Sequence, residues 1–132
     1  MFHFCNLVKA LGDENRLRII MALRAQPLCV CQLTALLDLA PSTTSKHLSI
    51  LRQAQLIECI KNGRWAYYKL PSNTANESID KALLLVQESL SHSETINQDN
   101  ERLKNVLLEE KGAFANNDLQ EIGHSAYMHS LD

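Results

Sequence analysis

The sequence has no run of about 18 apolar residues, its longest candidate being the short stretch Ala82 to Val86, so no segment reads as a membrane-spanning helix. The opening residues Met1-Phe2-His3-Phe4-Cys5 carry neither the charged n-region nor the apolar h-region of a secretory signal. The chain is therefore expected in the cytosol, with no membrane partner. Its four cysteines, Cys5, Cys29, Cys31 and Cys59, then read as reduced thiols or metal ligands rather than a disulfide framework. There is no Cys-x-x-Cys, no phosphate-binding loop and no nucleophile–base spacing, which argues against an enzyme such as a thiol-dependent reductase. Internal repeats and low-complexity tracts are absent as well. Aromatic residues make up 5%, and there are only four glycines and three prolines, so the abundant Leu and Ala point to an all-α or nearly all-α chain.

What is present fits one compact unit of 132 residues, with 45% hydrophobic and 21% charged residues, close to the globular average. The net charge of −2 conceals an asymmetry. Residues 1–70 hold nine Lys/Arg against four Asp/Glu, whereas residues 71–132 hold four against eleven. Such a division is either uneven surface charge or the footprint of a polyanion on the first half.

Apolar spacing orders the chain into helices. Phe4, Leu7, Val8 and Leu11 form a short amphipathic stripe stopped at Gly12, and Asp13 can cap a second helix whose apolar face is Leu17, Ile20, Met21 and Leu23. A third helix is expected from about Cys29 to Asp38. Pro41 suits the first position of a fourth, in which Thr44, Leu48 and Leu51 face inward while Ser42, Thr43, Ser45, Lys46 and Ser49 face out. Two short helices, a tight connection Leu39-Ala40-Pro41 and a small polar outer face read as a helix-turn-helix. Leu56 to Lys61 and Trp65 to Leu70 flank Asn62-Gly63, the pattern of a hairpin with a type I′ turn, which would stand as a wing with Lys61 and Arg64 at its tip. Trp65, Tyr67 and Tyr68 on that wing read first as packing residues. A longer helix follows from about Ala75 to Ser91, and another from about Ile96 to Glu110. Their stripes exceed what a small winged core can cover, so pairing with the first helix in a homodimer is expected to bury them. From Gly112 the periodicity fades into a weakly structured tail that contains His124 and His129.

Four blocks carry a resemblance: Leu11-Gly12-Asp13-Glu14-Asn15-Arg16-Leu17-Arg18-Ile19, Leu28-Cys29-Val30-Cys31-Gln32-Leu33, Ser42-Thr43-Thr44-Ser45-Lys46-His47-Leu48 and Gly63-Arg64-Trp65-Ala66-Tyr67-Tyr68-Lys69-Leu70. In this order and spacing, over about residues 5–91, they resemble the ArsR/SmtB family of dimeric winged-helix repressors. Leu-Cys-Val-Cys on the third helix is similar to the arsenic-responsive branch. The resemblance implies a repressor that releases its operator on binding As(III) or Sb(III), with Cys29 and Cys31 as thiolate ligands and no cofactor needed to bind DNA. Members of that branch often carry a further cysteine three residues after the second, where this chain has Thr34.

On a regular helix, residues two apart diverge by about 200°. Cys29 and Cys31 could then reach one ion only if the first turn unwinds, which Pro27 upstream already favours. The third ligand is open among Cys5, from this or the partner subunit, Cys59, and an external thiol or water. Cys5 reads first as a packed interface residue and Cys59 first as a strand residue. The family's other inducer site, for zinc on the C-terminal dimerisation helix, would have only Asp80, Glu88 and His92 here and is disfavoured. Ser42, Thr43, Ser45 and Lys46 are expected at base edges or phosphates in the major groove, with Arg52, Lys61 and Arg64 at the backbone or minor groove. His47 is either a packed histidine or a DNA contact.

The expected architecture is mainly α: a winged helix-turn-helix with a two-stranded β-hairpin wing, dimerised through N- and C-terminal helices. Residues 1–91 form the DNA-binding and dimerisation domain, and residues 92–132 a helical extension and tail. The expected function is arsenite- or antimonite-responsive repression at a pseudo-palindromic operator, with recognition helices about 34 Å apart. A redox, persulfide or Cd/Pb sensor on the same scaffold is the alternative.

Overall fold

The computed structural model describes residues 1–72 and 74–114. Asp13 begins the helix about which the others are arranged. Its backbone is extended and its carboxylate accepts the Arg16 N–H at 3.1 Å, which satisfies one of the open donors at the start of α2 (Glu14–Ala22). Ile19, Ile20 and Met21 on this helix are fully enclosed. α1 (Phe2–Leu11) comes before it, α3 (Val30–Leu37), α4 (Pro41–Gln53), α5 (Glu77–Leu90) and α6 (Glu94–Phe114) come after, and α2 touches all five.

α3 and α4 form the helix-turn-helix. Asp38 ends α3 in the left-handed conformation (φ 56°, ψ 49°), and Pro41 opens α4, where its missing N–H costs nothing. Thr44, Leu48 and Leu51 of α4 are buried as their spacing predicts. The fourth-helix residues Ser42, Thr43, Ser45, Lys46 and Ser49 are exposed.

The wing is β2 (Glu58–Asn62) paired antiparallel with β3 (Trp65–Lys69), and two of its details differ from the expectation. A third strand, β1 (Leu28–Cys29), adds to the other edge of β3, with Leu28 opposite Tyr68 and Cys29 opposite Tyr67. Two residues are too few for an alternating pattern to register. The turn also lies one residue later than expected. Asn62 pairs with Trp65, so the central residues are Gly63 and Arg64, and only Gly63 has positive φ (63°). That is the type II′ pattern, in which glycine alone supplies the left-handed step.

α5 begins at Asn76, whose side chain accepts the Ser78 N–H, and buries Ile79, Leu83 and Val86. α6 corrects the expectation that its stripe awaits a partner subunit. It folds back on its own protomer: Ile96 and Leu103 join the main core, and Arg102 Nη2 donates to the Ala35 carbonyl of α3. Asp99 takes two hydrogen bonds from Arg18, at 2.8 and 2.9 Å. The hydrogen bond to the Asp99 carboxylate raises the Arg18 guanidinium above its ordinary value, against the opposing effect of burial, so this cation persists throughout the working pH range. The tail expected from Gly112 is helical as far as Phe114; the rest of it, with His124 and His129, lies outside the described residues.

A different apolar surface is left open. Phe2, Phe4 and Val8 on α1 and Leu84 and Leu85 on α5 are each at least half exposed. Half of the first helix's stripe, Leu7 and Leu11, packs inward, and the other half does not.

The Arg18–Asp99 pair predicts the stability of α6. Replacing Asp99 by Asn leaves a guanidinium whose side chain is only 16% exposed without its counter-charge. Urea unfolding of Asp99→Asn is expected to show a loss of about 2 kcal/mol with an unchanged slope. A midpoint equal to the parent's would show that α6 is not held by this contact.

Candidate ligand and DNA-binding sites

Cys29 is at once the last residue of β1 and the N-cap of α3, with φ −87° and ψ 169°. This overturns the premise that both cysteines sit on a regular helix and diverge. With Cys29 extended and Cys31 in the first turn, the two Sγ atoms lie 2.9 Å apart in an S–H···S contact, and no unwinding is needed. Cys29 is buried and Cys31 exposed, so the pair opens outward from the β1–α3 junction.

Gln32 holds this arrangement. Its side-chain carbonyl accepts the Cys29 N–H at 2.9 Å, and its own N–H points at Cys29 Sγ, a reciprocal capping box with sulfur in the place of a hydroxyl. The Gln32 side chain is 9% exposed. Its spacing, three residues after the cap, is the signal that could have marked it, but a cysteine at the cap does not match the usual Ser or Thr.

The other candidate ligands stand apart from this pair. Among the described residues no group of three or more His, Cys, Asp or Glu side chains could hold a metal ion, so within one protomer neither Cys5 nor Cys59 joins Cys29 and Cys31. The same holds for Asp80, Glu88 and His92. Cys5 is exposed on α1, beside Phe4. Thr34 Oγ1, at the position of the branch's further cysteine, is buried without a hydrogen-bond partner.

The predicted DNA-contacting residues divide into four settings. Ser42, Thr43, Ser45 and Lys46 share the open face of α4, while Lys61 and Arg64 stand exposed at the wing. Arg52, in the last turn of α4, lines the same surface depression as Tyr68 of β3, which pairs with Cys59 across the strands. Burial, with the neighbouring Cys59 sulfur adding to it, pushes the Tyr68 hydroxyl above its ordinary 10, and Arg52 acts in the opposite direction. Arg52 thus lies where the recognition helix comes nearest to the wing strand. His47 is the exception on α4: it is half-buried, and its Nδ1 faces Arg16 Nη1 at 3.3 Å.

Residues 13–58 match the family described as bacterial regulatory protein, arsR family. The chain is 38% identical to the arsenical resistance operon repressor of Escherichia coli over 88 residues, which cover 64% of this chain and 75% of that protein. The chain belongs to the arsR family. It is also 44% identical to the transcriptional repressor SmtB homolog of Synechocystis over 64 residues, about half the length of each protein (48% of both). Among solved structures, HlyU from Vibrio cholerae superposes with a TM-score of 0.57 at 27% identity, covering 68% of this chain and 94% of that one. The arsR family groups DNA-binding regulators, not enzymes, and the winged helix-turn-helix described above is this chain's version of that fold.

The approach of the two sulfurs predicts selective chelation by a dithiol reagent. Phenylarsine oxide, which closes on two adjacent thiols with loss of water, is expected to add once per chain by intact-mass spectrometry. Cys29→Ser and Cys31→Ser should each abolish the adduct, and Cys5→Ser and Cys59→Ser should keep it. An adduct that survives Cys31→Ser would place the reactive pair elsewhere.

Proposed function

We propose that this arsR-family chain is a cytoplasmic transcriptional repressor that binds a pseudo-palindromic operator as a homodimer and leaves it when As(III) or Sb(III) is held by Cys29 and Cys31. The observation that carries the reading is the 2.9 Å approach of two thiols at the start of the helix that leads into the recognition helix. Soft thiolates select thiophilic ions, and one buried and one exposed sulfur offer an anchor and an open side. The name of the Escherichia coli relative supports the same inducer class.

Homodimer formation is supported by the open apolar faces of α1 and α5. Phe2, Phe4, Val8, Leu84 and Leu85 are large side chains that a second copy would cover. Cys5 lies on the same helix, which leaves it as the partner-derived third ligand in this proposal. DNA binding needs no cofactor: Ser42, Thr43, Ser45 and Lys46 would enter the major groove, with Arg52, Lys61 and Arg64 at phosphates or the minor groove. No helix among the described residues is long and apolar enough to cross a membrane.

Release follows from the capping box. Arsenite, As(OH)3, would exchange two of its hydroxyls for the Cys29 and Cys31 sulfurs, the hydroxyls leaving with the two thiol protons as water, and the S–H···S contact would be lost. Two sulfurs bonded to one arsenic stand farther apart than the 2.9 Å of the free pair, so Cys29 Sγ must shift, which draws it off the Gln32 backbone N–H and loosens the N-terminal cap of α3. α3 packs directly on α4, and the recognition helix follows the change. The inducer therefore favours the state that cannot bind DNA. The close thiols also support a redox reading, in which oxidation rather than ligation breaks the same cap.

Fluorescence anisotropy of a labelled DNA fragment from upstream of the gene, at fixed salt, tests both readings. Lys46→Ala is expected to weaken binding roughly ten-fold. One equivalent of arsenite should release the parent protein, and Cys29→Ser should bind DNA but ignore arsenite. Release by peroxide and none by arsenite would select the redox reading. Loss of DNA affinity in Cys29→Ser without any arsenite would sink the sensor assignment.

A further inference from the structure

Arg16 is the side chain that the sequence motifs leave without a role. From the first turn of α2 it donates Nε to the Ala10 carbonyl at 2.7 Å and Nη2 to the Lys9 carbonyl at 3.0 Å. These are carbonyls of the last turn of α1; the Lys9 carbonyl also accepts the Gly12 N–H at 3.2 Å, so the guanidinium completes that helix's C-terminal cap alongside Gly12. Its remaining nitrogen, Nη1, faces His47 Nδ1 in the middle of α4 at 3.3 Å, with the Asp13 carboxylate 4.0 Å away. The Arg16 side chain is 14% exposed. One rigid fork thus joins the end of the helix with the open apolar face to the centre of the helix with the open polar face.

A guanidinium donates and cannot accept, so the contact requires His47 Nδ1 to be the acceptor and leaves the ring proton on Nε2. We infer that His47 is a positioning residue: through Arg16 it sets the tilt of the recognition helix against α1, and with it the separation of the two reading heads of the dimer. The inference rests on the proposed DNA-binding reading. It assigns His47 a role through Arg16 instead of through a base. Any repacking of α1 in the dimer would reach α4 by this path, independent of the cysteine pair.

Two substitutions separate the roles. Asn carries an amide at the place of Nδ1, whereas Gln extends one to the place of Nε2. The readout is the ratio of affinity for the upstream fragment to affinity for calf-thymus duplex, because alignment of two heads matters only for the specific site. The positioning role predicts that His47→Asn keeps the ratio within about three-fold and that His47→Gln and His47→Leu lower it about ten-fold. Arg16→Gln combined with His47→Leu should cost no more than the worse of the two alone. In the free protein, the imidazole nitrogen-15 spectrum should show Nδ1 without a proton, and Arg16→Gln should change that signal. If Gln preserves the ratio and Asn lowers it, His47 contacts DNA through Nε2 and the inference is wrong. A parent protein with equal affinity for both DNAs would overturn the DNA-binding reading itself, and the inference with it.

Discussion

At Cys29 the backbone passes from strand to helix in a single residue, and the candidate inducer site depends on that step. The pairing of Cys29 with Tyr67 keeps its backbone extended, and Gln32 fixes the following turn by closing the capping box from the other side. A helix begun one residue earlier would have turned the two sulfurs apart. The geometry also explains why the wing and the ligand site are not separate devices. β1 lies on the edge of β3, so the strand that sets Tyr68 beside the recognition helix is the one whose Tyr67 holds Cys29 in place.

Around this junction, two arginines of α2 do the long-range work. Arg18 anchors α6 through Asp99, and Arg16 binds the end of α1 and faces His47 of α4. Each guanidinium satisfies groups on a distant element from an enclosed position, where a hydrogen bond to a charged group stabilises more than at the surface. The helices are tied together as a connected set rather than packed as independent rods. A local change at α3, which touches both α4 and α6, has neighbours on two sides through which to act.

The elements legible in the sequence are those set by local chemistry. Asp13 as a cap, Pro41 at a first helical position, the inward row Thr44, Leu48 and Leu51, and a hairpin near Asn62-Gly63 all follow from spacing or from the demands of a turn. The candidate thiol pair was legible as a pair, but its geometry was not, because a two-residue strand leaves no periodic trace. α6 was misread for a related reason: Asp99 meets Arg18 across 81 residues, and no local pattern announces a contact of that range. His47 shows the limit most clearly. Its place on the polar helix left two roles open, and the facing Arg16, 31 residues away, is a contact that no local spacing announces.

The central claim is that occupation of the Cys29–Cys31 pair is felt in the recognition helix. Hydrogen–deuterium exchange of the reduced protein, with and without one equivalent of arsenite and with binding verified by intact mass, tests it most directly. The account predicts faster exchange at the first turn of α3, where the Gln32 N–H loses its sulfur acceptor, and along α4, with α5 little changed. Arsenite bound while exchange in α3 and α4 stays the same would contradict it.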